Sequence, residues 1–153
     1  MTTVTAFPTV SRRKLQMVMN AAARLVVGAG KYQHITSVLR DVLHWLPVCQ
    51  RILFQVAFAA VDYVRGGAMP YFKDVCMPVD DISGRAHHRS AERHDMLHCW
   101  FLRTARTQLG RRSFHTATPT VWNSLTTFLH SASISRGQFR DGLKTHLFTH
   151  AYA

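Results

Sequence analysis

The sequence predicts a mainly α-helical fold: a small helical bundle with a loop-rich middle, a C-terminal helical pair and little strand. Three observations predict it. Apolar residues recur at three- and four-residue spacing in Leu15, Val18, Met19, Ala22, Leu25 and Val26, and again in Phe139, Leu143 and Leu147, the period of one helix face. The stretch from Ile52 to Val64 is apolar nearly all round, interrupted by Gln55 and Asp62, as a central buried helix would be. Glycines stand where such helices should end, at Gly28 and at Gly66-Gly67. A chain of 153 residues is about one domain, long enough to bury roughly two-thirds of its unfolded surface.

Each element follows from local chemistry. Residues 1–10 are Thr-rich, hold Pro8 and read as an irregular leader. Ser11 is a helix-capping residue, and the first apolar stripe follows it. Arg12, Arg13 and Lys14 would then sit in a first turn, where the helix dipole disfavours cations. Either an anion binds there or the helix starts further upstream. Gly28-Ala29-Gly30-Lys31 is a loop without phosphate-loop spacing. Thr36 or Ser37 opens a second helix, with Val38, Leu39, Val42, Leu43 and Leu46 as its apolar side and Pro47 as its stop. A third helix runs from about Val48 to Arg65, and Pro70-Tyr71-Phe72 begins a short helical piece. Residues 77–95 turn polar and read as a linker or loop. Leu97 to Leu109 has no helical stripe and suits a strand or extended segment. Thr118-Pro119 reads as a helix start, with Val121, Trp122 and Leu125 on its apolar side. Ser135 and Gln138 have capping-box spacing, so a last helix opens there, with Phe139, Leu143, Leu147 and His150 on one face. The chain thus divides into a leader (1–10), an N-terminal helical unit (11–76), a polar linker (77–95) and a basic C-terminal unit (96–153).

Composition narrows the partners. Lys plus Arg is 19 against 8 Asp plus Glu, a formal charge of +11. Most of the cations are Arg, whose planar fork suits phosphate and carboxylate; an anionic membrane surface would attract the same charge. The charge is uneven: residues 1–40 carry six Lys/Arg and no acid, and residues 96–140 carry six Arg and no acid. Three widely spaced cysteines (Cys49, Cys76, Cys99) are not a disulfide framework and point to a reducing compartment. No apolar stretch reaches the ~18 residues that cross a bilayer.

Arg103, Arg106, Arg111 and Arg112 lie close in sequence to Trp100, Phe101 and Phe114, and Arg12, Arg13, Lys14 and Arg24 form a second basic set. Cations with interleaved aromatics suit backbone contact to RNA or DNA, with unpaired bases stacking on the rings. No base-reading motif accompanies them, so binding would be non-specific. The alternative is a solvated basic surface. His94 and His98 have the i, i+4 spacing of a zinc helix, and Cys76, His94, His98 and Cys99 can be drawn as a tetrahedral set. Asp95 stands where a zinc peptidase needs the longer Glu, and the local sequence is loop-like. A His-rich surface loop is the plainer explanation of these residues, so neither a metal nor another cofactor is assigned. Nothing orients a Cys–His nucleophile pair, and no small-molecule substrate is indicated.

Seven strings occur together and in order: Leu15-Gln16-Met17-Val18-Met19-Asn20-Ala21-Ala22-Ala23-Arg24-Leu25, Tyr32-Gln33-His34-Ile35-Thr36, His44-Trp45-Leu46-Pro47-Val48, Arg51-Ile52, Gly110-Arg111-Arg112-Ser113-Phe114, Pro119-Thr120-Val121-Trp122-Asn123-Ser124-Leu125, and Phe139 with Leu143-Lys144-Thr145-His146-Leu147-Phe148. In that order and spacing they resemble the C-terminal region, thumb and post-polymerase tail, of the reverse transcriptase polyprotein of LINE-type (non-LTR) retrotransposons. The resemblance runs from about Leu15 to the C-terminus. It implies a thumb-like unit over 11–76 whose helices grip a template–primer backbone. It also implies no catalysis by this chain alone, since the family's Tyr-x-Asp-Asp carboxylates belong to the palm, and Asp80-Asp81 lacks the preceding Tyr-x pair. The chain departs from the family pattern at Ser37, at Trp100-Phe101-Leu102-Arg103, at Thr126-Thr127 and at Cys49. The function this implies is weak, salt-sensitive binding to nucleic acid backbone. A second reading is an interaction module, prone to self-association, exposing the apolar patch that a missing palm would cover.

Overall fold

The computed structural model describes residues 9–67, 77–78, 97–98, 113–131 and 133–153. It is mainly helical, as the periodicity predicts. Helix α1 spans Thr9–Val27, α2 Val48–Val64, α3 Phe114–Asn123, α4 Thr127–His130 and α5 Arg136–Tyr152; a π-helical turn covers Val38–Val42. The strands β1 (Met77–Pro78) and β2 (Leu97–His98) pair antiparallel, Met77 opposite His98 and Pro78 opposite Leu97. Among the described residues no helix is long and apolar enough to cross a membrane.

Both glycine stops work as predicted. Gly28 (φ 66°) and Gly66 (φ 72°) adopt the left-handed conformation that a Cβ would strain. Each closes a double hydrogen-bonded helix end. Gly28 N–H donates to the Leu25 carbonyl and Ala29 N–H to Arg24 (3.4 and 2.9 Å). Gly66 N–H donates to Tyr63 and Gly67 N–H to Asp62 (3.0 and 2.9 Å). The Ser135–Gln138 capping box is also present, with Gln138 N–H donating to Ser135 Oγ at 3.2 Å and Ser135 N–H to Gln138 Oε1 at 2.8 Å.

Three elements differ from expectation in their bounds. The first helix is in place by Thr9, not Ser11, which puts Arg13 and Lys14 beyond a first turn counted from Thr9, with Arg12 at its end, and eases their conflict with the dipole. The second helix is only a short turn. Leu43 N–H donates to Val38 five residues back, Trp45 N–H donates to the Leu39 carbonyl, and His44 (φ 49°) reverses the chain before Leu46 and Pro47. A residue preceding proline avoids the α region, so the turn cannot run on to Leu46. Helix α3 starts at Phe114, with Ser113 at its N-cap, not at Thr118, and carries Pro119 inside it. Proline there forfeits one helix hydrogen bond, while Thr120 Oγ1 adds a 2.7 Å bond to the Thr116 carbonyl. Helix α4 was not anticipated. Of the extended segment predicted from Leu97, the described part is the two-residue β2; the rest, like the helical piece at Pro70–Phe72, lies outside the described residues.

The main core joins α2 to α3, α4 and α5. It holds Leu46, Ala57, Ala60, Val61, Val121, Trp122, Leu125, Leu129, Ile134, Phe139, Leu143 and Leu147. Trp122, Phe139 and Leu143 are fully enclosed. Phe139 stacks on Trp122 with centroids 6.1 Å apart and tilts against Phe58 at 6.3 Å. Ala57 and Ala60 let neighbouring backbones approach α2, which is why an element apolar nearly all round sits centrally. His150, the fourth position of the predicted α5 stripe, is exposed. The C-terminus is tied back instead by Tyr152, whose hydroxyl donates to the Trp45 carbonyl at 2.7 Å. A smaller core of Ala23, Ile35 and Leu39, flanked by Met19, Ala29, Val38, Leu43 and Trp45, secures α1 and the π turn.

Candidate interaction face on helix α1

Helix α1 turns the wrong stripe inward by the measure of its sequence. The residues that pack against the rest of the chain are Arg12, Gln16, Met19, Asn20 and Ala23, a row at steps of three and four. Polar groups do much of this docking. Val48 N–H, at the start of α2, donates to Gln16 Oε1 at 3.0 Å, and Gln16 Nε2 donates to Asn20 Oδ1 at 2.9 Å. Pro47 precedes α2 and has no side-chain acceptor to offer its orphan N–H groups, so Gln16 supplies the cap from 32 residues away. Arg12 Nη1 reaches Cys49 Sγ at 3.6 Å.

The predicted apolar stripe faces outward. Leu15, Val18, Leu25 and Val26 are all exposed, Leu25 at 85%; Met17 is exposed too, but on another side of the helix. Of that stripe only Met19 and Ala22 are even half-buried. The stripe spans about 16 Å from Leu15 to Val26 at 1.5 Å per residue, as two exposed pairs, Leu15 with Val18 and Leu25 with Val26, separated by half-buried Met19 and Ala22. Aliphatic pairs that repeat on one face and stand in solvent mark a candidate contact surface.

Charge surrounds the band. Arg13 and Lys14 are exposed at one end of it, and Lys31, in the turn after the helix, lies at the other, 5.6 Å from the Tyr32 ring. Arg24 is partly committed: its Nε and Nη2 donate to the Gln33 carbonyl at 3.3 and 3.2 Å, latching the 28–34 turn to the helix. The three acids among the described residues are paired elsewhere. Asp41 lies against Arg40, Asp141 against Arg140, and Asp62 takes a bidentate bond from Arg136, both contacts 2.8 Å. The Arg40 guanidinium holds the Asp41 carboxyl below its ordinary range, mainly by hydrogen bonding.

Of the residues expected to contact nucleic acid, Arg13 and Lys14 therefore stand in solvent, while Arg12 and Arg24 make intramolecular contacts. Arg103, Arg106, Arg111 and Arg112 lie outside the described residues, as do Trp100 and Phe101. Phe114 opens α3 at the margin of exposure. Of the drawn zinc set, Cys76, His94 and Cys99 lie outside the described residues, and His98 is placed only as backbone of β2. Among the described residues no three His, Cys, Asp or Glu side chains gather at one point.

Sequence reasoning missed the Gln16 cap and the Arg136–Asp62 pair, which ties α5 to α2 and sets the Arg136 guanidinium 4.5 Å from the Phe58 ring centroid. Asp62 did signal itself, as a carboxylate interrupting an apolar helix. Gln16 carried no such mark. No protein-family model, curated protein or solved structure matches the chain.

Proposed function

We propose that the chain is a non-catalytic interaction module whose contact face is the outward stripe of α1, derived from the thumb region of a LINE-type reverse transcriptase. The derivation rests on the seven ordered strings in the sequence. The contact face rests on one observation: Leu15, Val18, Leu25 and Val26 repeat like core residues yet stand in solvent. A helix keeps such a stripe without a partner at a cost in solubility, and a covering surface removes it. A dye that fluoresces in apolar environments tests the face without assuming its partner. Binding should fall sharply in the double variant Val18→Asp/Leu25→Asp while circular dichroism stays unchanged. Undiminished dye binding would refute the assignment.

A second reading, non-specific binding to RNA or DNA backbone, is favoured by Arg13, Lys14 and Lys31, which no acid within residues 1–40 neutralises. Anisotropy titrations with single-stranded RNA and duplex DNA at two salt concentrations test it. Affinity should fall with a log–log slope of about −0.7 to −0.9 per phosphate neutralised. Salt-independent binding, or none at low salt, would refute it.

A further inference from the structure

Resting on the contact face just described, we infer that α1 seats on an anionic lipid surface, lying in the interface with its aliphatic stripe turned toward the acyl chains. Two features of the stripe carry this. The first is its chemistry. Leu15, Val18, Leu25 and Val26 are exposed side chains that gain nothing from a sugar–phosphate strand but lose water on entering hydrocarbon. The second is where the charge sits. Arg24 is held by the Gln33 carbonyl, while Arg13 and Lys14 stand exposed at one end of the stripe and Lys31 at the other. Their long stems let the aliphatic residues descend while the charged heads stay among headgroup phosphates. Tyr32 follows at 92% exposure, an amphipathic ring of the kind that settles at a membrane interface.

The same charge pattern disfavours a second copy as the occupant. Two α1 faces brought together would place two sets of cations side by side, and residues 1–40 contain no acid to pair them. Anionic headgroups complement that field, and a bilayer surface matches a convex helix face. Helix α1 would lie on this surface, not cross it: its inward row of Arg12, Gln16 and Asn20 is tied to the chain by Gln16.

Flotation of the full chain with vesicles tests the inference, using phosphatidylcholine alone and phosphatidylcholine mixed with phosphatidylglycerol. Binding should favour the mixed vesicles and weaken with salt. A cation near such a surface is worth about a fivefold change in partitioning. Arg13→Gln/Lys14→Gln should therefore lose roughly 25-fold on mixed vesicles and nothing on phosphatidylcholine. Leu25→Asp, at a solvent-facing position that leaves the fold intact, should lose roughly tenfold or more on both. Equal partitioning to the two vesicle types, or indifference to Leu25→Asp, overturns the inference. So does a titration in which RNA binds and vesicles do not. A dimer in sedimentation equilibrium that Leu25→Asp dissolves, without vesicle binding, overturns the lipid assignment and leaves the contact face standing. Indifference of dye, vesicles and self-association alike to Leu25→Asp removes both.

Discussion

Leu25→Ala separates the two possible placements of helix α1. Periodicity puts Leu25 on a buried stripe; the structure leaves it 85% exposed. Full burial of a leucine is worth about 1.5–3 kcal/mol, and truncating a buried one to alanine costs about 2–5 kcal/mol once the cavity is included. With only the residual fraction of Leu25 covered, the transfer contribution scales down to about 0.2–0.5 kcal/mol. Alanine's better helix propensity offsets part of that. The expected change in unfolding free energy is within about 0.5 kcal/mol of zero, with no change in the urea slope. Leu143→Ala is the reference: Leu143 is fully enclosed in the main core, and its truncation should cost about 2–5 kcal/mol. Equilibrium urea unfolding followed by circular dichroism measures both on one scale. A loss of 2 kcal/mol or more (on the order of a buried leucine) at Leu25 would refute the outward placement of the stripe, and with it the contact face.

Three further outcomes follow from the packing. Trp122→Ala should remove about 3–5 kcal/mol by urea unfolding, because the indole is enclosed between Phe139 and His130, whose Nε2 lies 2.8 Å from the Trp122 carbonyl. Ser135→Ala should cost about 1 kcal/mol, since it removes the hydroxyl acceptor of the α5 capping box; no loss in thermal unfolding would show that the last helix is held by its apolar face alone. Burial pushes the Tyr152 phenol above its ordinary value, while Arg40 and Arg51 oppose the rise. A raised folded-state value stabilises the neutral form, so the contribution is complete below the unfolded value near 10 and is lost as pH climbs through the folded one. Absorbance titration should therefore show a late phenolate component that Tyr152→Phe deletes; an unchanged curve would refute the assignment.

What the sequence made legible is what depends on neighbours along the chain. Gly28 and Gly66 end helices because a left-handed residue is needed there, and Ser135 with Gln138 makes a cap from residues three apart. Trp122, Phe139, Leu143 and Leu147 enter the core as their spacing requires. The misreadings arise where nearby signals compete. Pro119 reads as a start because proline is common at first helical positions, yet α3 begins at Phe114, after Ser113, a few residues before it. The short π turn replaces a regular helix because Trp45 N–H takes the Leu39 carbonyl and His44 turns the chain. For the candidate site, the cations were legible by type and their commitments were not. Arg24 belongs to the Gln33 carbonyl, a pairing nine residues apart that no composition shows.

Helix α1 is where local and global signals disagree, and that disagreement carries the functional argument. Its apolar period is strong enough to predict burial, yet the row that docks is polar, held by one glutamine capping a neighbouring helix and by Ala23 in a small satellite core. Natural sequences tend to agree across levels, and conflicts concentrate where function overrides packing. A stripe left outward on a helix with no acid beside its cations is such a conflict. Because the docking row is small, α1 should be the least protected of the long helices in hydrogen exchange of the free chain, opening at a lower free energy than α2 and α5. A surface that covers the stripe should raise that protection on α1 selectively, whereas a ligand bound elsewhere would leave it unchanged. Equal protection of α1 and α2 in the free chain would mean that the Gln16 cap and the Ala23 contact suffice to hold the helix, and the outward stripe would then owe nothing to a missing partner.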